Sequence, residues 1–329
     1  MYAAQHRIDG ITYAIKEIPL RLRSKTLSAT LMARLREIRI LASLQHPHIV
    51  RYYHSWLDSG GGSVLKRMAS GASSESSSSA GDSLASLSTD DALPPNAPRA
   101  GAEITDLVTT AAGAQDCVAD EDIRATLYIQ TELMDMNLRT WITSHYDATP
   151  LAHMIGTILH AVAYLHGQSP ALVHGDIKPE NILLSRLYRG GGKEGASQAW
   201  LVKLADFGLA RTLDADWMPP RAHEGTATYQ PPAGEVHRAI RHDSKNESTR
   251  HASDRGMPSA DVYSLGVLIY ELLNPFGTAM ERARTLQALR EGNIHNVYPP
   301  ILRTMLHADP RERPDITAVL TFFTDAFMH

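Results

Sequence analysis

Apolar residues recur along the chain with two different periods. Arg7 to Ile18 alternates apolar and polar positions around Asp9-Gly10, which predicts a hairpin whose second strand is Ile11 to Lys16. A stripe of helical period follows, and His46-Pro47 ends it. Its members are Leu27, Leu31, Leu35, Ile38, Leu41 and Leu44. Ile49 to Leu57 then predicts a strand, so the chain opens with a small sheet and one helix.

The composition changes between residues 59 and 122. This stretch contains Gly60 to Gly62, a serine tract over Ser73 to Ser79, and almost no aromatic residues. Such a sequence buries too little apolar surface to offset the entropy of ordering it, so we predict a disordered insertion. Structure is expected to resume with a short strand at Leu127 to Gln130.

The remainder of the chain has mainly helical patterning. Leu151 to His166 carries an apolar stripe, and Ala260 to Leu273 is apolar almost all round, which is typical of a buried core helix. We expect loops from about Val173 to Pro232, with polar surface excursions at Arg189 to Gln198 and His237 to Arg255. The pattern as a whole predicts a small sheet-rich lobe followed by a larger helical lobe.

Composition excludes several classes of function. The formal charge of −4 argues against direct nucleic-acid binding, and no apolar run is long enough to span a membrane. The single cysteine, Cys117, cannot form an internal disulfide, which favours a cytoplasmic location. The 16 histidines show no metal-ligand spacing, so we predict no structural zinc.

The residues most specific for chemistry form the run His174-Gly175-Asp176-Ile177-Lys178-Pro179-Glu180-Asn181. Asp206-Phe207-Gly208 follows 25 positions after Asn181, and upstream lie Lys16, at the end of a predicted strand, and Glu37, on the predicted helix. Together and in this order, these segments resemble the protein-kinase signature set. Transfer of a phosphoryl group to a hydroxyl needs metal-binding carboxylates, a lysine for the phosphates and an acceptor for the hydroxyl proton.

The resemblance implies an α+β, two-lobed protein kinase fold that uses ATP and Mg²⁺ to phosphorylate serine or threonine. Lys16 would hold the α- and β-phosphates, and Glu37 would fix its ammonium by an ion pair. Asp176 would accept the hydroxyl proton, and Lys178 would contact the γ-phosphate. Two further residues are the expected metal ligands, Asn181 and Asp206.

Flanking segments narrow the resemblance to the kinases that phosphorylate the alpha subunit of eukaryotic translation initiation factor 2. The segments are His46 to Leu57, the long insertion after it, Leu127 to Gln130, and Met280-Glu281-Arg282 with Thr285. In that family the insertion separates the fourth and fifth strands, and the helix with the Met-Glu-Arg segment docks the factor. The implied partner is that alpha subunit, the implied process is translation control under stress, and a homodimer is plausible from the resemblance alone.

The same resemblance assigns further residues and domain limits. Thr131 falls at the gatekeeper position, and the hinge that meets adenine comprises Glu132, Leu133 and Met134. The substrate-docking candidates are Thr226, Met280, Glu281, Arg282 and Thr285. The expected divisions are an N-lobe part over 1–58, the insertion over 59–122, the last N-lobe strand with the hinge over 123–134, and the helical lobe over 135–329.

Three departures from the kinase pattern stand out. Only 15 residues precede Lys16, and Gly10 is the sole glycine among them. We therefore expect that the chain is truncated at its N-terminal side and that the glycine-rich loop of kinases is missing from it. Gly175 stands where many kinases have arginine, which predicts weak switching by activation-loop phosphorylation. The usual Pro-Glu ending is altered to a segment ending in Glu235, which would pair with Arg313. Asp261 would anchor the backbone of the catalytic loop.

Two other functions remain open from the sequence. A catalytically impaired kinase fold could act as a binding or regulatory module, because the glycine-rich loop is missing. The chain could also be a generic or cell-cycle kinase, in which case Met280 and Glu281 would not influence the choice of substrate.

Overall fold

The structure is a computed structural model that describes residues 1–22, 27–58, 123–187, 199–212, 228–232, 258–294, 297 and 299–328. It describes the backbone alone for residues 21–22, 27–34, 123–124, 211–212 and 327–328. The predicted insertion and the two predicted polar excursions lie outside the described residues. The chain divides into two compact units, one formed by 1–38 with 52–131 and the other by 39–51 with 132–329.

The first unit is built on a four-stranded sheet with the order β1-β2-β4-β3. Its elements are β1 (Tyr2–Gln5), β2 (Thr12–Leu22), the start of α1 (Leu27–Ser43), β3 (Tyr52–Asp58) and most of β4 (Ile123–Glu132). The strand β4 alternates, with Ala125, Leu127 and Ile129 buried, because successive side chains in a strand point to opposite faces. This alternation places the core of the unit on one face of the sheet.

The hairpin at Asp9-Gly10 is confirmed, but its first strand is not where it was predicted. The strand β1 ends at Gln5, and the backbone of His6 bonds both Gly10 and Ile11 across the turn. Gly10 takes a positive φ of 71°, a conformation that glycine adopts without strain. Arg7 and Ile8 therefore belong to a wide turn, and the apparent alternation there does not reflect a strand.

Two strand boundaries also differ from the prediction. The strand expected from Ile49 begins only at Tyr52, because Ile49 and Val50 instead join the second unit through a parallel bridge to Leu204 and a hydrogen bond of 2.9 Å to its carbonyl. The strand expected over Leu127 to Gln130 extends to Ile123–Glu132. Pairing with β3 runs from Thr126 to Thr131, one residue beyond each end of the predicted strand, an influence that a local pattern does not contain.

The second unit is mainly helical. Its helices are the end of α1, α2 (Leu138–Ser144), α3 (Leu151–His166), α4 (Pro258–Leu273), α5 (Ala279–Arg290), α6 (Ile301–Met305) and α7 (Ile316–Met328). The two core helices α3 and α4 confirm the predictions for Leu151 to His166 and Ala260 to Leu273. The helix α3 packs against α4, α7 and two strands, and Met154, Ile155 and Leu159 on it are fully buried.

The second unit also contains strands where the sequence predicted helices and loops. These are β5 (Met136–Asn137), β6 (Leu172–Val173), β7 (Ile182–Leu187), β8 (Ala199–Leu204) and β9 (Arg211–Thr212). They form one sheet with the order β5-β7-β8 and a second sheet with the order β6-β9. Among the described residues of this unit outside the stretch from about Val173 to Pro232, strands are limited to the end of β4, β5 and the start of β6, so the mainly helical expectation is confirmed there. Within that stretch the expectation of loops was wrong, because β7, β8 and β9 lie in it. The strands β7 and β8 are six residues each, and their alternation of buried and less buried positions is too short to stand out from loop sequence.

The buried helix α4 approaches α6 closely. A methyl group added at Gly266 would lie 3.1 Å from side-chain atoms of Met305 and Leu306, so the small residue permits this packing. Among the described residues, no helix combines the length and the apolar character that crossing a bilayer requires.

Candidate active site

In the first unit, a lysine and a glutamate form an ion pair. Lys16 lies on β2 next to the buried Ile15, and Glu37 lies on α1 among buried residues of the apolar stripe. The Nζ atom of Lys16 is 3.0 Å from Oε1 of Glu37, and the carboxylate is only 4% exposed. The ammonium group of Lys16 supplies the counter-charge that a buried carboxylate requires. The ammonium group is thereby fixed in position.

We call the run His174 to Asn181 the catalytic loop, after the kinase segment that it resembles. In the second unit, three of its residues meet at one carboxylate. Lys178 Nζ lies 2.7 Å from Oδ2 of Asp176, and the side-chain amide of Asn181 donates to the same oxygen at 3.0 Å. Asn181 also donates to the backbone carbonyl of Asp176 at 2.8 Å. The Asp176 side chain is 12% exposed, so its carboxylate is held by its neighbours and still reaches the surface.

Asp261, the fourth residue of α4, holds the catalytic loop by its backbone. One carboxylate oxygen accepts the N–H of His174 at 2.8 Å, and the other accepts the N–H of Gly175 at 2.9 Å. His166, at the end of α3, lies 3.0 Å from the first oxygen. Burial disfavours the charge, but the hydrogen bonds and the charge interaction with His166 lower the pKa of Asp261 below its usual value. The buried carboxylate therefore stays ionised.

Gly175 has a backbone conformation that excludes most side chains. Its φ is +78°, and a Cβ atom there would lie 3.0 Å from the carbonyl oxygen of Leu209. Arginine, the residue found here in many kinases, would be strained at such an angle, whereas glycine is not. The glycine thus lets the loop reach Asp261 without strain.

Asp206 is held beside the catalytic loop by its neighbours in sequence. Ala205 donates its N–H to the carbonyl of Asn181 at 2.9 Å, and Ala205 O lies 3.1 Å from Nε2 of His174. Phe207 is buried, and its ring packs edge-on at 5.0 Å from that of His174. Asp206 itself is exposed and has a φ of +66°. Burial lowers the pKa of His174, which keeps this packed ring neutral.

The hinge candidates are the last residue of β4, Glu132, and the two residues after it. Glu132 turns its side chain toward Arg51 N at 2.6 Å and Lys203 Nζ at 2.7 Å, so its carboxylate serves the packing of the second unit. Leu133 is 44% exposed, and the Sδ atom of Met134 accepts a hydrogen bond from Ser185 Oγ at 3.7 Å. Thr131, the gatekeeper candidate, ends the β4 segment that belongs to the first unit.

Most docking candidates lie in the first turns of α5, which Thr278 caps by accepting the N–H of Glu281. Met280 is 65% exposed and Glu281 is also exposed, whereas Thr285 is half-buried. Arg282 differs from them, because its guanidinium faces the interior. Thr226 lies outside the described residues.

Arg313 is buried and bonds three backbone carbonyls, those of His307, Ala308 and Ser259, at 2.8, 3.1 and 3.3 Å. Its guanidinium also lies 4.9 Å from the centre of the Tyr263 ring. The expected pairing with Glu235 stays a prediction, because Glu235 lies outside the described residues.

Sequence reasoning missed a group of polar and charged side chains around the buried Glu271, which we call the Glu271 cluster. It consists of Arg139, Glu180, Tyr229, Glu271 and Arg282. Burial disfavours the charge on Glu271, but hydrogen bonds from Arg139, Arg282 and Tyr229 lower the pKa of this carboxyl. Glu271, which besides Asp261 is the one charged residue of the mainly apolar α4, was the available clue, because such a charge needs partners. The sequence does not indicate which arginines supply them.

Comparison with known proteins agrees with these features. The protein kinase domain family matches residues 112–322. The eIF-2-alpha kinase GCN2 of Arabidopsis thaliana is 28% identical over 327 residues, which cover 96% of this chain and 23% of that protein. The GCN2 of Schizosaccharomyces pombe is 26% identical over 373 residues, covering 96% and 22%. Eukaryotic translation initiation factor 2-alpha kinase 2 of the same yeast is 26% identical over 414 residues, covering 97% and 62%. The chain thus spans about a quarter of the first two relatives and less than two thirds of the third.

Proposed function

Because the chain belongs to the protein kinase domain family, we propose that it transfers the γ-phosphate of ATP to a serine or threonine of a protein substrate. The observation that carries this proposal is the Asp176 carboxylate, which Lys178 and Asn181 hold at one oxygen while Asp261 fixes the backbone beside it. A general base must be oriented and must reach its substrate, and a carboxylate fixed near the surface meets both conditions.

The residues present fit ATP and Mg²⁺. Asn181 uses its amide nitrogen on Asp176, which directs the amide oxygen elsewhere, and Asp206 presents a carboxylate at the surface. Carboxylate and amide oxygens are the ligands that Mg²⁺ prefers. We therefore propose Asn181 and Asp206 as the metal ligands. When bound, the magnesium nucleotide would supply the phosphoryl group and neutralise part of its charge.

The other residues would position the reactants. Lys16, fixed by Glu37, would neutralise the α- and β-phosphates, and Lys178 would contact the γ-phosphate. Asp176 would take the proton from the attacking hydroxyl. The backbone of the hinge from Glu132 to Met134 would meet adenine, next to Thr131 as gatekeeper.

We propose the alpha subunit of translation initiation factor 2 as the substrate, which would place the chain in cytoplasmic control of translation. The support is that relatives covering almost the whole chain are named as kinases of that subunit. The exposed Met280 and Glu281 at the start of α5, together with Thr285, are the proposed docking residues. Thr226, three positions before Tyr229 in the sequence, is proposed to contribute as well.

The test is phosphate transfer to the purified alpha subunit from labelled ATP, using the native polypeptide that contains this chain. The matched control is Asp206→Ala, which removes a proposed metal ligand. We expect transfer by the wild type and at least about a hundredfold less by the variant, since metal neutralisation of the phosphates contributes a large share of the rate. Transfer no greater than that of the variant would end the enzyme proposal and favour a regulatory module.

A further inference from the structure

The first turn of α5 presents neighbouring side chains to different surroundings. Met280 and Glu281 are exposed, whereas the next residue, Arg282, turns toward the buried Glu271 and is 28% exposed. Its Nε atom lies 2.5 Å from Oε1 of Glu271, and its Nη2 donates to the hydroxyl of Tyr229 at 2.7 Å. Arg282 thus joins the helix that carries the docking candidates to the interior of the unit.

The Glu271 cluster is balanced in charge. Two guanidinium groups, from Arg139 and Arg282, meet the carboxylates of Glu271 and Glu180. The hydroxyl of Tyr229 donates to Oε2 of Glu271 and accepts from both arginines. Because Glu271 has no exposed surface, loss of either guanidinium would leave part of a buried charge uncompensated.

The cluster also reaches the catalytic loop. Arg139 donates from Nε to Oε1 of Glu180 at 2.9 Å, and Glu180 directly precedes Asn181. The amide of Asn181 in turn donates to the carboxylate of Asp176 at 3.0 Å. A contiguous set of contacts therefore runs from the start of α5 to the proposed proton acceptor, so kinetics must separate an effect on docking from an effect on the catalytic loop.

Other contacts hold α5 farther along its length. Leu286 and Leu289 are buried in its second and third turns. The first turn has the Thr278 cap and the ion pair of Arg282. Loss of Arg282 should consequently release the first turn while the apolar contacts keep the rest of the helix in place.

We propose that Arg282 is a positioning residue that sets the first turn of α5, and with it Met280 and Glu281, for a folded protein substrate. This inference rests on the proposed function and refines one part of it. Arg282 acts on the substrate through the position of the helix, whereas its neighbours touch the substrate.

The test compares two substrates for the native polypeptide: the folded alpha subunit, and a short peptide that contains its mapped acceptor residue. For Arg282→Met we expect the KM for the folded subunit to rise about tenfold, which corresponds to the loss of one well-formed docking contact. The kcat on the subunit and the kcat/KM on the peptide should stay within about twofold, because neither depends on the docking surface.

Two further variants sharpen the result. Arg282→Lys keeps the positive charge but not the fork of donors, so it should raise the KM by only about threefold. Arg284 lies on the same helix but is exposed. Arg284→Met should therefore leave the KM and the kcat unchanged for both the folded subunit and the peptide. Thermal unfolding of each variant checks that it is folded, and if Arg282→Met unfolds, the lysine variant carries the comparison.

The possible failures can be told apart. A wild type that does not phosphorylate the subunit contradicts the proposed function itself. An active wild type whose KM is unchanged by both Arg282 variants overturns the positioning role alone. Equal losses on the folded subunit and the peptide also overturn it, since they would show that Arg282 only stabilises the catalytic loop.

Discussion

The two ends of the buried helix α4 each carry an ionised carboxylate, and the two carboxylates bind different kinds of hydrogen-bond donor. Asp261 near its start bonds two backbone N–H groups of the catalytic loop and His166. Glu271 near its end bonds two arginine side chains and a tyrosine hydroxyl. Backbone donors fix the course of the chain itself, whereas side-chain donors fix how neighbouring helices attach. We infer that the first end serves the chemistry and the second serves the substrate.

Replacing Asp261 with Asn should have the largest effect. The amide would direct an N–H group at donors that now share two carboxylate oxygens, in a site where Asp261 is 1% exposed. We expect a loss of about 3–5 kcal/mol in the free energy of unfolding, because buried charged hydrogen bonds are lost together. The kcat should fall on any substrate. Urea denaturation and peptide kinetics measure the two effects, and a wild-type kcat would show that the loop does not depend on this anchor.

Replacing Glu271 with Gln should lower the free energy of unfolding by less than Asp261→Asn does. Arg139 and Arg282 would face a neutral amide, but both side chains are partly exposed, at 20% and 28%, so water compensates some of the loss. We expect about 2–3 kcal/mol in the free energy of unfolding. The kinetic signature should be a raised KM for the folded substrate. A fall in peptide kcat as large as that of Asp261→Asn would remove the distinction between the two ends of α4.

Gly175→Ala tests the Asp261 end by backbone strain alone. The positive φ and the nearby carbonyl of Leu209 oppose a Cβ atom, so we expect a loss of about 1–2 kcal/mol while every donor to Asp261 is retained. Gly292→Ala is a suitable control, because that glycine also has a positive φ, at +86°, and has open space around it. Equal stability losses with equal kcat values would mean that the contact with Leu209 is unimportant.

The sequence alone could predict some parts of the fold and of the candidate site, but not others. The catalytic loop, Asp206 and the two core helices were predictable because their signals are local: a short motif or a helical period. The strands β7 and β8 were not, since they are stabilised by pairing between two segments that are not adjacent in the sequence. The same holds for the Glu271 cluster. Arg139 and Glu271 are far apart in sequence, and only the fold brings them together.

Mild acid should lower the stability of the structure around Asp261, at the start of α4, and leave that around Glu271, at its end, unchanged. Burial lowers the pKa of His174 from its ordinary 6.5, so the unfolded chain takes up a proton before the folded one as the pH falls. The contribution of the neutral His174 to the free energy of unfolding is therefore complete above about pH 6.5. It declines toward pH 5, by up to about 1.4 kcal/mol per pH unit for one group. Burial also lowers the pKa of His46 and of His48, which adds to the decline.

In the Glu271 cluster the pKa of Glu271 is lowered and those of Tyr229 and both arginines are raised, so these four groups keep their charge states between pH 7 and pH 5. Glu271→Gln should therefore lower stability equally at pH 7, 6 and 5. Urea denaturation at the three pH values measures this. A loss that shrinks toward pH 5 would show that the cluster itself responds to acid.

The most direct test of the account is the rate of a single turnover by the wild type and by Asp176→Asn, with saturating magnesium ATP and alpha subunit. Asparagine keeps the shape of the residue and cannot accept the hydroxyl proton as a carboxylate does. We predict a fall of at least about a hundredfold in the rate of phosphate transfer, with nucleotide affinity unchanged. A rate for Asp176→Asn equal to that of the wild type would contradict the assignment of Asp176 as the proton acceptor.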